Sequence, residues 1–160
     1  MSRILLLSVR PRFAHGLLSG TKTAEIRRRF PEVPAGMTVL VYSSSPEKAI
    51  LGTMRARRVV RSNADDIWRD YANVIGIERT ELVDYLEGAS ECSVLELDSP
   101  DLWSRPVQLK ELRGALNVEP PQSFRYLTGR QLARLLSLDK TREGSEPENR
   151  PELELRRMLA

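Results

Sequence analysis

The densest run of chemically capable residues is Gly20-Thr-Lys22-Thr-Ala-Glu25-Ile-Arg27-Arg28-Arg29. Alternation from Thr23 to Arg29 predicts a strand with Ala24 and Ile26 turned inward and Thr23, Glu25, Arg27 and Arg29 in a row on the other face. Gly20 permits a tight turn just before it, so Lys22 is expected to project. Guanidinium groups bind phosphate bidentately and stack on bases. A carboxylate set between them orients an arginine or accepts from a base amino group. The competing reading is a solvated strand face with cross-strand ion pairs. Arg10 and Arg12 flank this run and are placed to contact phosphates. Arg55, Arg57, Arg58 and Arg61 either extend a basic track or face solvent.

These residues need a scaffold, and the hydrophobic pattern supplies one. Ile4 to Val9 reads as a first strand. Pro11 suits the first turn of a helix whose stripe is Phe13, Ala14, Leu17 and Leu18, closed by Gly20. Thr38 to Tyr42 is a nearly continuous apolar strand. Ser43-Ser-Ser-Pro46 breaks it, and Ala49 to Arg61 is a long strand with Gly52 as the place for a bulge. Asn63 caps a helix carrying Asp65 and Asp66 in its first turn. A second helix runs from about Glu78 to Leu86. Ser93–Leu97 and Val107–Leu109 read as short strands, Leu116–Ser123 as a loop stiffened by Pro120-Pro121, and Thr128 as the cap of a last helix reaching Leu138. Trp68, Tyr71 and Trp103 read as core residues, Cys92 as an inert buried thiol and His15 as a partly buried structural residue.

Short strands with interspersed helices predict an α+β fold, a small, partly closed mixed β-barrel with short helical insertions, over residues 1–139. Residues 140–160 read as a polar tail. Lys140 to Pro151 lacks periodicity and is expected to be unstructured, with a short helix from Glu152 to Leu159.

Composition narrows the chemistry further. The 160 residues include one cysteine and one histidine, so a disulfide framework, a cysteine-rich zinc site, a His-pair nuclease and an HExxH protease are all excluded. No cofactor and no metal site is expected. No apolar run approaches a membrane span. Arg10 and Arg12 directly follow the opening apolar stretch, so it reads as a strand and not a signal peptide, and the expected location is the cytoplasm. Residues 1–61 carry 12 Lys/Arg against 3 Asp/Glu, whereas residues 62–160 carry 13 against 19. Such a split predicts a polyanion partner for the basic part and leaves the acidic part free to dock a protein.

Ser8-Val-Arg-Pro-Arg-Phe13, followed by Gly20-Thr-Lys-Thr-Ala-Glu-Ile-Arg27, resembles the opening motif of ASCH domains of the PUA-like superfamily. The resemblance continues through Val41-Tyr-Ser-Ser-Ser-Pro46 and Pro121-Gln-Ser-Phe-Arg-Tyr126 and covers roughly residues 3–138. It is nearest to bacterial and archaeal ASCH proteins described as predicted transcriptional regulators, although this sequence shows no helix-turn-helix. The resemblance implies a barrel with a cleft over the first helix and the Lys22 loop, and binding of RNA, with DNA as the other polyanion to test. Phe124, Arg125 and Tyr126 fall in the loop expected at the cleft, where the two aromatic rings are stacking candidates. One superfamily variation is an amidohydrolase of an acylated cytidine, using a lysine and a threonine. Lys22 is present here, but Glu25 stands where the threonine would be, so only a modified-nucleoside binder or a differently built hydrolase fits that branch. Another is a ribonuclease relying on Tyr, Lys and Ser, whose places Tyr42, Lys48 and Ser123 fit. Lys48 would supply charge, Tyr42 a hydrogen-bond donor, and Ser123 a donor to a phosphate oxygen. The alternative is that all three merely line the cleft.

Overall fold

Residues 3–143 are described by a computed structural model. The elements run β1 (Arg3–Val9), α1 (Pro11–Ser19), β2 (Ala24–Arg27), β3 (Thr38–Ser43), β4 (Ala49–Ser62), α2 (Ala64–Tyr71), α3 (Arg79–Tyr85), β5 (Cys92–Gln108), α4 (Leu109–Leu116), β6 (Phe124–Thr128) and α5 (Gly129–Glu143). One six-stranded sheet has the order β2-β5-β4-β3-β1-β6. β1 pairs parallel with β3 and antiparallel with β6.

Both faces of the sheet are covered, which explains why β1 is apolar at almost every position. Leu5, Leu7 and Val9 face α1 together with Val39, Val41, Leu95 and Leu97. Ile4, Leu6, Leu40 and Tyr42 face the other way, onto Leu112 of α4 and Leu135 of α5. A third cluster joins Ala24 and Ile26 of β2 to Ile67, Ile75, Leu82 and Leu86 of the α2–α3 segment. The caps follow the sequence. Asn63 Oδ1 accepts from the Asp66 N–H at 2.9 Å, and Thr128 and Gln131 satisfy one another's backbone N–H groups as a capping box. Among the described residues no helix is long and apolar enough to cross a membrane.

The fold is α+β as expected, with a mixed sheet whose backbone ladder stays open between its edge strands β2 and β6. Several other expectations are corrected. β2 ends at Arg27, leaving Arg28 and Arg29 outside it. The two short strands after residue 92 are a single strand of 17 residues. Asp98-Ser-Pro-Asp101 looks like a turn in sequence, but here it is absorbed as an irregularity opposite Thr53–Arg55, with Ser99 at φ 54°. Leu109 opens a helix instead of ending a strand, with Leu109, Leu112 and Leu116 along one side. Phe124 to Tyr126 belong to a strand and not a loop. His15 is exposed, its Nε2 lying 2.9 Å from Glu47. α5 continues past Leu138 to Glu143, and the remaining expectations for the tail fall outside the described residues.

The expected bulge is at Gly52. Val41 pairs with Gly52 and Tyr42 with Ile50, which leaves Leu51 unpaired. β5 passes so close that a Cβ on Gly52 would stand 2.1 Å from the Asp101 carbonyl oxygen. Backbone cannot yield as a side chain would, so Gly52→Ala should destabilise the fold by about 2 kcal/mol or more. The thermal midpoint should then fall by roughly 5 °C; an unchanged midpoint by calorimetry would show that the close approach relaxes freely.

Candidate functional site

The C-terminal end of β1, the start of α1, β2 and the α2–α3 segment enclose a cleft of about 540 Å³. Its apolar lining comes from Val9, Phe13, Ile26, Ile75 and Ile77. Its charged lining comes from Arg10, Arg12, Lys22, Glu25, Arg27, Glu81 and Asp84.

Lys22 is the unusual member. It does not project; it is 3% exposed. A Cβ on Gly16 would lie 3.2 Å from its stem, and one on Gly76 would lie 3.4 Å away, so two glycines form the slot that admits it. Gly76 also needs its glycine for φ, at +74°. The ammonium donates to the carbonyls of Ala24, at 2.8 Å, and Ile75. It lies 3.4 Å from Glu25 Oε1 and 4.8 Å from the centre of the Phe13 ring. Burial holds its pKa below the ordinary lysine value; the Glu25 carboxylate opposes that shift, while Arg27 and Arg12 add to it.

Glu25, itself 5% exposed, joins this lysine to Arg27. Arg27 Nη2 lies 3.4 Å from Glu25 Oε2 and donates to the Ser8 carbonyl at 2.8 Å, while Nη1 donates to Ser123 Oγ at 3.1 Å. Ser123 directly precedes β6. One guanidinium therefore spans the open side of the sheet, from β2 to the end of β1 and the approach to β6. The expected shared face of Glu25 and Arg27 is present, as a buried chain of charges and not a solvated row.

The other predicted residues divide clearly. Arg10 and Arg12 line the mouth and are exposed. Arg29, Arg55, Phe124, Arg125 and Tyr126 do not line the cleft. Arg55 donates to Gly36 O and Thr38 Oγ1, and Arg125 to Glu119 O. Phe124 packs on Phe30 at 4.8 Å between ring centres, and Arg3 covers the Tyr126 ring at 4.6 Å. Along β4 and β5, Arg57 lies 3.7 Å from Asp98 and Arg58 pairs with Glu96, so these two arginines are already neutralised.

Tyr42, Lys48 and Ser123 do not line the cleft, and the Tyr42 ring packs on the α4–α5 side of the sheet. Tyr42 sits opposite Ser8 in register, is 3% exposed, and burial raises its pKa. Ser123 follows Gln122, which does line the cleft, and its carbonyl accepts from the Ser8 N–H at 2.9 Å. Lys48 is exposed, at φ 51°, at the end of the loop that also holds the lining residue Ser44.

Glu81, Asp84, Ile75 and Ile77 were not anticipated as site residues. Glu81 and Asp84 stand three apart, hence on one helix face. Nothing local in the sequence says that this face meets α1. The described residues hold no cluster of His, Cys, Asp and Glu able to bind a metal ion.

The Lys22 slot makes a pH prediction. The folded chain releases the Lys22 proton at a lower pH than the unfolded chain does, so in that window the unfolded state binds more protons and stability rises with pH. Wild type should gain stability relative to Lys22→Met as pH climbs from the lowered folded value toward the lysine's ordinary 10.5. Denaturant midpoints across that range test it, and a difference that stays constant or shrinks would contradict a buried ammonium.

A family described as a domain of unknown function, DUF365, matches residues 9–114. An ASCH domain-containing ribonuclease from Zymomonas mobilis subsp. mobilis is 31% identical over 137 residues, covering 83% of this chain and 90% of that protein. The crystal structure of ASCH from Zymomonas mobilis superposes with a TM-score of 0.79 at 28% identity, covering 84% of this chain and 94% of that one. The human THYN1 protein, solved in complex with 5-methylcytosine containing DNA, shares the fold at a TM-score of 0.56 and 14% identity, covering 91% of this chain and 100% of that one. With sequence and fold agreeing over most of its length, the chain carries the DUF365 domain and belongs to the ASCH-domain family.

Proposed function

We propose that the chain is a nucleic-acid-binding module that holds single-stranded or structured RNA in the cleft beside Lys22. The carrying observation is the cleft's composition: two exposed arginines at the mouth, Arg10 and Arg12, above an apolar floor of nucleotide size. Phosphates meet the arginines, and a base rests on Phe13, Ile26 and Ile77. Lys22, Glu25 and Arg27 hold one another in place before any ligand arrives, so little ordering is needed on binding. RNA is preferred over DNA because the relative that is 31% identical is named a ribonuclease.

Each phosphate that meets an arginine left free before binding should add about −0.7 to the slope of log K against log salt. Replacing Arg10 by alanine should therefore flatten the slope by about 0.7. Affinity for single-stranded RNA that is independent of salt would overturn the reading.

A second reading, cleavage of the bound RNA, is favoured by one further observation. Two variants of the Zymomonas mobilis ASCH protein have been solved, one with a tyrosine replaced by phenylalanine and one with a serine replaced by alanine. Those two positions are separated by the same number of residues as Tyr42 and Ser123. Tyr42, its pKa raised by burial, stays protonated at neutral pH and acts as a hydrogen-bond donor. Lys48 supplies exposed positive charge for the phosphate, and Ser123 is aimed by Arg27. Labelled single-stranded RNA incubated with pure protein, with and without EDTA, should be cut. Tyr42→Phe and Lys48→Ala should each slow cutting about a hundred-fold; undiminished cutting by both variants would remove these residues from the reaction.

A further inference from the structure

The two walls of the cleft carry opposite charges. Arg10 and Arg12 stand at the start of α1, and Glu81 and Asp84 stand on α3. Arg12 and Glu81 meet across the gap in a fork-to-fork pair. Nη1 donates to Oε1 at 3.4 Å, Nη2 donates to Oε2 at closer range, and the Phe13 ring backs the guanidinium at 4.5 Å. Both side chains are about half exposed, at 53% and 43%. The ion pairs of β4 differ in kind: Arg57 and Arg58 pair with the neighbouring strand, and none of the four residues lines the cleft.

A guanidinium presents the same pair of donors to a carboxylate and to a phosphodiester. The Glu81 carboxylate thus occupies the place that two phosphate oxygens would take. We propose that Glu81 is a specificity-determining residue, an internal counter-anion that a ligand phosphate must displace from Arg12. The proposal rests on the nucleic-acid reading of the cleft and names the group that sets its threshold. A phosphate that reaches Arg12 exchanges one ion pair for another, so that contact releases little counterion. Glu81 and Asp84 also repel flanking phosphates, which keeps the ligand backbone on the α1 wall. Isolated anions gain too little to displace the carboxylate. A nucleotide that adds an apolar base contact on the floor gains enough. The cleft therefore selects nucleic acid over free phosphate.

Fluorescence anisotropy with a labelled twelve-nucleotide RNA, from 25 to 200 mM KCl, tests this on wild type, Glu81→Gln, Arg12→Ala and the double variant. Glu81→Gln should bind about three- to ten-fold tighter at low salt, with a slope steeper by roughly 0.7. The gain should vanish on the Arg12→Ala background. Glu81→Ala, a second carboxylate-free variant, should shift the same way, and thermal midpoints show that each variant is folded. Equal binding by wild type and both folded Glu81 variants would overturn the proposal while leaving the nucleic-acid reading intact. A gain that persists without Arg12 would also overturn it, since the carboxylate would then act by general repulsion. Failure of wild type and every variant to bind RNA at 25 mM KCl would remove the nucleic-acid reading, and this proposal with it.

Discussion

A buried ammonium must be given partners, and much of the site follows from giving them to Lys22. An unpaired charge at 3% exposure would cost several kcal/mol. The structure avoids that cost with two backbone carbonyls, the Glu25 carboxylate and the face of Phe13. Each partner fixes something else. The Ile75 carbonyl fixes where the segment after α2 lies, and therefore where the far wall of the cleft begins. Glu25 fixes Arg27, and Arg27 fixes the end of β1 and the residue before β6. Floor, wall and sheet closure are thus one electrostatic unit.

That unit also changes how the charge of the chain is understood. The basic first part and the acidic second part meet across the fold. Acidic residues of the second part come back to the arginines of the first: Asp98 to Arg57, Glu96 to Arg58, Glu81 to Arg12. Long antiparallel pairing of β4 with β5 brings the first two pairs together. Exposed pairs of this sort contribute little stability. Their larger effect is to leave fewer exposed arginines free to meet a phosphate.

Much of the scaffold was legible because local signals agreed with tertiary ones. Pro11 and Gly20 bound α1, Asn63 and Thr128 cap their helices, and Gly52 marks the bulge, all by chemistry that acts within a few residues. β5 was not legible as one strand, because Ser99-Pro100 reads as a break unless the partner strand is irregular at the same level. β6 reads as strand only once β1 is known to lie beside it. The site was legible in its residues and not in its depth. Glu25 and Arg27 do share a face, but the burial of Lys22 depends on Gly16 and on Gly76, which is far away in the chain. The acidic wall depends on the third hydrophobic cluster, through which Leu82 and Leu86 seat α3 beside β2.

The register of the longest ladder carries one more consequence. Ser62 and Cys92 are direct partners, so the chain leaves the sheet and returns to it at a single rung. Residues 63–91, with α2 and α3, form a parenthesis whose ends already meet. The ladder is complete without it, and a parenthesis of another length or charge would join the same two positions. One wall of the cleft is therefore built into the sheet and its first helix, while the other is a side excursion of the chain, held to that frame at the closing rung, at the Val74 and Ile75 carbonyls and by the third hydrophobic cluster. Its outer face, where Glu81 and Asp84 stand, is the part of the cleft least constrained by the ladder.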